Sequence, residues 1–258
     1  LQLDDSVPAR VAQVLRQEGG RWFYERRGAA DNQFKLYTRQ GQAPERLLVD
    51  PQALEKATGK PHAINYYDVS PDGRVLAYGL SQQGSEAAVL HRLDVATGRA
   101  IAEPISRADW GGTSFTPDGK QLAFLRLQEM KPGMAPTEKY SNASVWLMDA
   151  RAPVETARRV FGRGLPGVDI APEESPFVSF THDGRWAIGL VINGVQREWK
   201  VFLSPAAAVR AGRPQWRQIV GTDDLVVNVA YMRDTLYLLS HKGAPRYQLL
   251  ALDLKRPQ

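Results

Sequence analysis

Three aspartates recur in near-copies of one short motif, and carboxylates that recur in this way are candidates for acid–base chemistry. Asp72 lies in "SPDGRVLAYGL", Asp118 in "SFTPDGKQLAFLRL" and Asp183 in "SFTHDGRWAIGLVI". In each copy a glycine follows the aspartate, and an apolar run comes next. Asp accepts hydrogen bonds within a turn and Gly adopts a positive φ, so the motif predicts a hairpin corner. We therefore expect these three carboxylates to be structural.

The other chemically capable residues do not form a recognisable catalytic set. The sequence has no G-x-S-x-G motif and no glycine-rich phosphate-binding loop. Glu173 and Glu174 are interpreted as solvated loop residues. Because there is no cysteine, disulfides, thiolate zinc sites and a cysteine nucleophile are excluded. The histidines lie far apart in the sequence and lack metal-ligand spacing: His62, His91, His182 and His241. The residues by themselves predict neither a catalyst nor a bound metal or cofactor.

Composition is that of a folded, water-soluble protein. Of 258 residues, 43% are hydrophobic and 24% are charged. The net charge of +5 comes from scattered basic residues, which predicts a solvated basic surface and no nucleic-acid partner. No apolar run is long enough to span a membrane, and the first residues, "LQLDDSVPAR", do not resemble a signal peptide. A signal peptide removed earlier would leave no trace, so both cytoplasm and periplasm stay open.

The secondary-structure elements predicted to carry the aspartates, glutamates and histidines discussed above are almost all strands. Residues 6–20 are the exception and predict one short helix, with Ser6 as its cap and Pro8 in its first turn. Four apolar residues would share one helix face, namely Val7, Val11, Val14 and Leu15. From Arg21 onward, short aromatic and β-branched runs alternate with Gly, Pro, Asp and Asn, which indicates strands joined by turns.

The strands group into repeats. Asp72 and Asp118 are 46 residues apart, and Asp118 and Asp183 are 65 apart, the longer interval containing two loop-like insertions. Repeats of about 40–50 residues with four strands each are typical of a β-propeller. The predicted fold is all-β, a propeller of four-stranded antiparallel blades with a short N-terminal helix. A seven-strand sandwich is the alternative, but it explains the recurring corner less well. The predicted blades are 21–60, 61–108, 109–162, 174–221 and 225–258, the last stopping before its final strand.

Three blocks of sequence resemble the prolyl oligopeptidase family. "DNQFKLYTRQG" followed by "ERLLVDPQAL" is similar to the first blade of that family's propeller. "SPDGRVLAYGLSQQGSE" is similar to the second blade, with Glu86 where Asp is usual. "TLYLLSHKGAPRYQLLALDL" resembles a later blade. The blocks occur in the family's order, from about residue 20 to the end of the chain.

The resemblance implies a function. Members of the family have a seven-bladed propeller that covers an α/β-hydrolase domain with a Ser–Asp–His triad, and they cleave short peptides after proline. The propeller excludes folded proteins and admits peptides. This chain would then be about five of the seven blades, and its partners would be its own hydrolase domain and short proline-containing peptides. No triad residue can be carried over, so the chain as given is expected to be inactive.

The resemblance also implies three substrate-binding residues. Trp110 precedes the "SFTPDG" strand, at the position of an aromatic residue that lines the peptide pocket. Ser175 lies at the corresponding offset in the next blade, and Val201 lies in "EWKVFL". The indole of Trp110 would offer a flat apolar face to the peptide side chain before the proline. The alternative is that Trp110 packs between neighbouring blades.

Two other functional classes stay open at this point. One is a stand-alone propeller that binds a partner without catalysis. The other is a five-bladed propeller closed on itself, since rings of about 4–8 blades occur. An incomplete seven-bladed ring would expose two apolar blade faces and its strand edges. We therefore expect residues 1–258 alone to associate or aggregate.

Overall fold

The fold is built from antiparallel sheets in which strand order follows chain order. The structure is a computed structural model and describes residues 9–256. The first sheet comprises β1 (Arg10–Arg16), β2 (Arg21–Arg27), β3 (Lys35–Gln40) and β4 (Arg46–Val49). The second comprises β5 (His62–Val69), β6 (Val75–Gln82), β7 (Val89–Asp94) and β8 (Arg99–Ala100).

Three further sheets follow. The third comprises β9 (Ser114–Phe115), β10 (Gln121–Arg126), β11 (Ser144–Asp149) and β12 (Arg158–Gly162). The fourth comprises β13 (Ser175–Phe180), β14 (Trp186–Ile192), β15 (Lys200–Pro205) and β16 (Arg217–Val220). The fifth comprises β17 (Val226–Met232), β18 (Thr235–Ser240) and β19 (Gln248–Asp253). The helices are short, α1 (Pro51–Thr58) after β4 and α2 (Ala206–Arg210) after β15. In the described range, no helix is both long and apolar enough to cross a membrane.

The prediction of an all-β chain made of four-stranded antiparallel blades is confirmed, with three strands described in the fifth sheet. The predicted N-terminal helix is wrong where the structure describes it. Residues 10–16 are strand β1, which pairs with β2 and so starts the first sheet before the predicted boundary at residue 21. The predicted helix cap Ser6, together with Val7 and Pro8, lies outside the described residues.

The reason for the error is a bulge in β1. The register with β2 shifts between Ala12 and Leu15, and Gln13 takes a φ of 45°. A bulge adds a residue and breaks the period of two that identifies a strand. Val11, Val14 and Leu15 thereby acquire a spacing that imitates a helix. Pairing with β2 determines the structure, because it satisfies the backbone groups that an isolated helix would satisfy internally.

The repeated turns form as expected. Asp72 Oδ1 accepts hydrogen bonds from the hydroxyl of Ser70 at 2.6 Å and the N–H of Arg74 at 3.1 Å. The other two turns have the same pattern, with Thr116 donating to Asp118 at 2.7 Å and Thr181 donating to Asp183 at 2.6 Å. The glycines that follow have φ values of 68°, 68° and 67°, the left-handed conformation that the corner requires. These aspartates are therefore structural, as predicted.

Helix α1 was not anticipated from the sequence. Asp50 caps it by accepting from the N–H groups of Gln52 at 3.0 Å and Ala53 at 3.2 Å. Pro51 occupies the first turn, and Gly59 ends the helix at a φ of 71°. Asp-Pro followed eight residues later by Gly is the signal that could have identified it.

The described chain divides into two compact units, the first ending at Gly111 and the second beginning at Gly112. In the first unit, apolar side chains of the first two sheets pack together, among them Phe23, Leu36, Leu76 and Val95. In the second unit, one cluster joins the third and fourth sheets and includes Phe161, Phe202 and Trp216. Another joins the fourth and fifth sheets. Each large side chain buried in this way contributes about 1.5–3 kcal/mol.

Candidate functional site

Trp110 lies in the segment between β8 and β9, at the end of the first compact unit. Its side chain is 41% exposed. The residues before it, Ile105 and Ala108, are buried. The segment is therefore buried at Ile105 and Ala108 and carries a large, partly exposed aromatic side chain at Trp110.

Two hydrogen-bonded anchors fix the course of this segment. The N–H of Ile105 donates to the carbonyl of Leu90 at 2.8 Å, and the N–H of Leu90 donates back to Ile105 at 2.9 Å. Three residues further on, the carbonyl of Ala108 accepts from the hydroxyl of Tyr66 at 2.6 Å. Tyr66 belongs to β5, so the segment is attached to the first strand of the second sheet.

Gly111 follows Trp110 and is held against the same tyrosine. Its φ is 70°, and a Cβ added there would lie 2.9 Å from Cγ of Tyr66. A larger residue would thus be strained in its backbone and would also collide with the ring. Tyr66 therefore contacts the segment on both sides of Trp110.

Ser175 is the first residue of β13, in the second compact unit, and pairs with Ile192 of β14. Its side chain is half-buried. The preceding Glu174 is buried, with 5% exposure, and accepts from the ammonium of Lys200 and the N–H of Ala171, both at 2.8 Å. The interpretation of Glu174 as a solvated loop residue is wrong, because its ion pair with Lys200 compensates for the loss of water. Ser175 therefore begins its strand next to a fixed, charge-paired carboxylate.

Val201 lies in β15 and has 0% exposure. It packs in the cluster between the fourth and fifth sheets, together with Leu203, Val220 and Leu236. A side chain without exposed surface cannot contact a peptide unless the core opens. In this structure Val201 is a packing residue, and the strand β14 separates it from Ser175.

The structure brings together two histidines that are far apart in the sequence. His62 and His91 line one cavity of about 520 Å³ on the second sheet, together with Gln82. Nδ1 of His62 donates to the carbonyl of Lys60 at 2.7 Å, so its Nε2 accepts from Gln82 at 3.1 Å. Burial, and secondarily the nearby His62, lower the pKa of His91. Spacing along the chain missed this pair because it forms across β5, β6 and β7.

The histidine cavity does not have the composition of a metal centre. Between residues 9 and 256, no three side chains of the His, Cys, Asp or Glu type converge on a possible metal position. Each of the two remaining histidines has a side-chain partner from another part of the chain. His182 packs against the ring of Tyr231, and Nε2 of His241 lies 3.1 Å from a carboxylate oxygen of Glu198. The described part of the chain thus offers an exposed aromatic side chain at Trp110 and no evident set of catalytic groups.

Comparison with solved structures supports a propeller fold. One similar structure comes from a structural and mechanistic analysis of two prolyl endopeptidases, which concerns the role of inter-domain dynamics in catalysis and specificity. It has 24% identity and a TM-score of 0.81, and the match covers 97% of this chain. A second is prolyl oligopeptidase B from Galerina marginata bound to a 35mer hydrolysis and macrocyclization substrate, with 16% identity, a TM-score of 0.79 and 96% coverage. The same protein in its apo form has 18% identity, a TM-score of 0.77 and 96% coverage.

The match is to one part of those proteins. This chain spans 35% of the first structure, 37% of the second and 36% of the third. A family model described as the N-terminal β-propeller domain of prolyl oligopeptidase matches residues 2–258, nearly the whole chain. The chain therefore belongs to the prolyl oligopeptidase family and carries its N-terminal β-propeller domain.

Proposed function

We propose that this domain controls access of peptides to a serine-type endopeptidase that cleaves short peptides after proline. The catalytic groups would belong to an α/β-hydrolase domain of the same protein, against which the propeller packs. The observation that carries the proposal is the match of residues 2–258 to the propeller domain of this family. The Galerina marginata enzyme bound to a 35mer hydrolysis and macrocyclization substrate is consistent with a ligand of this class.

Within this domain, Trp110 is the residue best suited to contact the substrate. Its indole is exposed, and the backbone on both sides of it is anchored by Tyr66. A rigid aromatic face binds an apolar peptide side chain with little loss of conformational entropy. We propose that the indole of Trp110 contacts the side chain of the residue that precedes proline in the peptide. Ser175, half-buried at the start of β13, is the second candidate and would contribute a hydroxyl group.

The experiment uses the complete protein and peptides of the form X-Pro-reporter, in which X is glycine, alanine, leucine or phenylalanine. We expect cleavage after proline that a serine-directed inhibitor abolishes. Trp110→Ala should raise KM about tenfold for X = phenylalanine and little for X = glycine, because only the bulky side chain reaches the indole. Trp22→Ala is the matched control, since Trp22 is 37% exposed but lies in β2.

Two results would contradict the proposal. An absence of prolyl peptidase activity in the complete protein would contradict the proposed cleavage after proline. Equal effects of Trp110→Ala and Trp22→Ala across the peptide series would remove Trp110 from the binding site.

A further inference from the structure

Tyr66 reaches the Trp110 segment because of an irregularity in β5. Ile64 pairs with Leu80 and Tyr66 pairs with Gly79, so the register shifts between Ile64 and Tyr66. Such a bulge re-aims the side chains that follow it. Without the shift, strand alternation would place Ile64 and Tyr66 on the same face of the sheet. Instead, Ile64 packs with the core of the first two sheets while the hydroxyl of Tyr66 reaches Ala108.

The space occupied by the Tyr66 ring is created by two glycines. A Cβ at Gly79 would lie 2.3 Å from the ring, and a Cβ at Gly111 would lie 2.9 Å from it. The ring is therefore enclosed between β6 and the segment that carries Trp110. At this density of packing, a side chain cannot shift without moving its neighbours.

The hydrogen bond from Tyr66 does not depend on pH in the physiological range. Burial raises the pKa of the phenol well above its usual value, and the charge of Asp109 adds to the increase. The hydroxyl therefore stays protonated and donates to Ala108 at 2.6 Å. The bond spans 42 residues of sequence and joins two separate elements.

The segment needs an external anchor. Arg107, which lies between the anchors at Ile105 and Ala108, has a φ of 65°. A non-glycine residue in the left-handed region costs on the order of 1 kcal/mol and persists only where its surroundings enforce it. The bond from Tyr66 is made to the residue directly after this strained position, and it restrains the chain just before Trp110.

We propose that Tyr66 is a positioning residue for peptide binding: its hydroxyl and ring hold residues 108–111 so that the indole of Trp110 meets the substrate. The inference rests on the proposed role of Trp110. Tyr66 itself touches no substrate; it acts through the segment that it anchors. Its removal should weaken the binding of peptides that use Trp110 and leave the chemical step unchanged.

The test is Tyr66→Phe in the complete protein. The variant keeps the ring between Gly79 and Gly111 and removes only the hydroxyl that donates to Ala108, while the weaker bond from the N–H of Gly111 at 3.4 Å stays. Tyr67→Phe is a matched control, since the neighbouring hydroxyl also donates to a carbonyl of another strand, that of Phe23 at 3.2 Å. We expect Tyr66→Phe to raise KM about three- to tenfold for phenylalanine before proline, with kcat unchanged and little effect for glycine. Tyr67→Phe should leave both constants unchanged.

Hydrogen exchange of residues 105–111 gives a readout that does not require activity. Tyr66→Phe should accelerate exchange in this segment, and Tyr67→Phe should not. If Trp110→Ala raises KM but Tyr66→Phe changes neither KM nor exchange, the positioning role is overturned and the role of Trp110 stands. If Trp110→Ala has no effect on KM, the proposed contact fails and the positioning role in peptide binding fails with it; faster exchange in Tyr66→Phe would then show only that Tyr66 anchors the segment.

Discussion

The ring of Tyr66 fills the space that a side chain on Gly79 would need: an added Cβ would lie 2.3 Å from Cε1 and 2.4 Å from Cζ. The two residues face each other across the β5–β6 pair. Because Gly79 has no side chain, the ring fits against β6 and its hydroxyl reaches Ala108. A glycine in one strand thus determines how a segment more than twenty residues further along the chain is held.

Gly79→Ala should displace Tyr66. The new methyl group cannot fit beneath the ring, so we expect a loss of about 1–3 kcal/mol in stability, typical of an overpacked core. The same variant should accelerate hydrogen exchange in residues 105–111. Thermal unfolding and exchange measurements test the two effects. Gly194→Ala is the control, since nothing lies within 4 Å of a Cβ there, and an equal loss of stability in both variants would contradict the argument.

Asp68 should make the protein less stable as pH rises. Burial raises the pKa of this carboxyl group to about 6, although the N–H of Val69 partly opposes the shift. Because the pKa is higher in the folded state than in the unfolded state, the contribution of Asp68 to stability is fully present below about pH 4. It is lost as the pH rises through 6. We expect Asp68→Asn to raise stability by up to about 3 kcal/mol at pH 8 and to have little effect near pH 4.

Melting temperatures of the complete protein at pH 8 and pH 4 test this prediction. Asp149→Asn is the control, because that carboxylate is exposed at the end of β11. If Asp68→Asn and the wild type keep a constant difference at both pH values, ionisation of Asp68 does not limit stability.

Asp183 should make the protein less stable as pH falls, the opposite of the effect predicted for Asp68. Burial alone would raise its pKa, but hydrogen bonds from Thr181 and Arg185 and the positive charge of Arg185 outweigh it and lower the pKa to about 2. A depressed pKa stabilises the fold above the unfolded value of 3.8, and this contribution is lost as pH falls towards 2. Asp183→Asn should therefore be less stable than the wild type at pH 6, with the difference shrinking by pH 2.5. Thermal unfolding at the two pH values measures this, and a difference that grows on acidification would contradict it.

Val201→Ala separates packing from substrate contact. Val201 is fully buried, so removing two methyl groups should leave a cavity and cost about 1–3 kcal/mol. KM should be unchanged for every residue before proline, because the side chain has no surface for a peptide to contact. Urea unfolding and the X-Pro peptide series measure the two quantities. A selective rise in KM for bulky residues without loss of stability would restore Val201 to the binding site.

Local sequence determined those parts of this protein that depend on a few adjacent residues. The three turns at Asp72, Asp118 and Asp183 follow from Ser or Thr, Asp and Gly at fixed spacing, since their hydrogen bonds close within five residues. The four-strand repeat follows from these turns and the apolar runs between them. The all-β fold could therefore be predicted from these local patterns, and the family could be identified from short blocks of sequence.

Tertiary structure decided what depends on contacts between distant residues. Pairing with β2 made Arg10–Arg16 a strand although its apolar spacing imitates a helix, and packing between sheets buried Val201. The ion pair between Lys200 and Glu174 forms across 26 residues, and the bond from Tyr66 to Ala108 across 42. Such contacts exist only when backbone pairing and close packing bring the elements together, and no short stretch of sequence contains that information. The family resemblance in the sequence pointed to Trp110 as a candidate residue. The contact of Tyr66 with the segment that carries Trp110 became visible only in the folded structure.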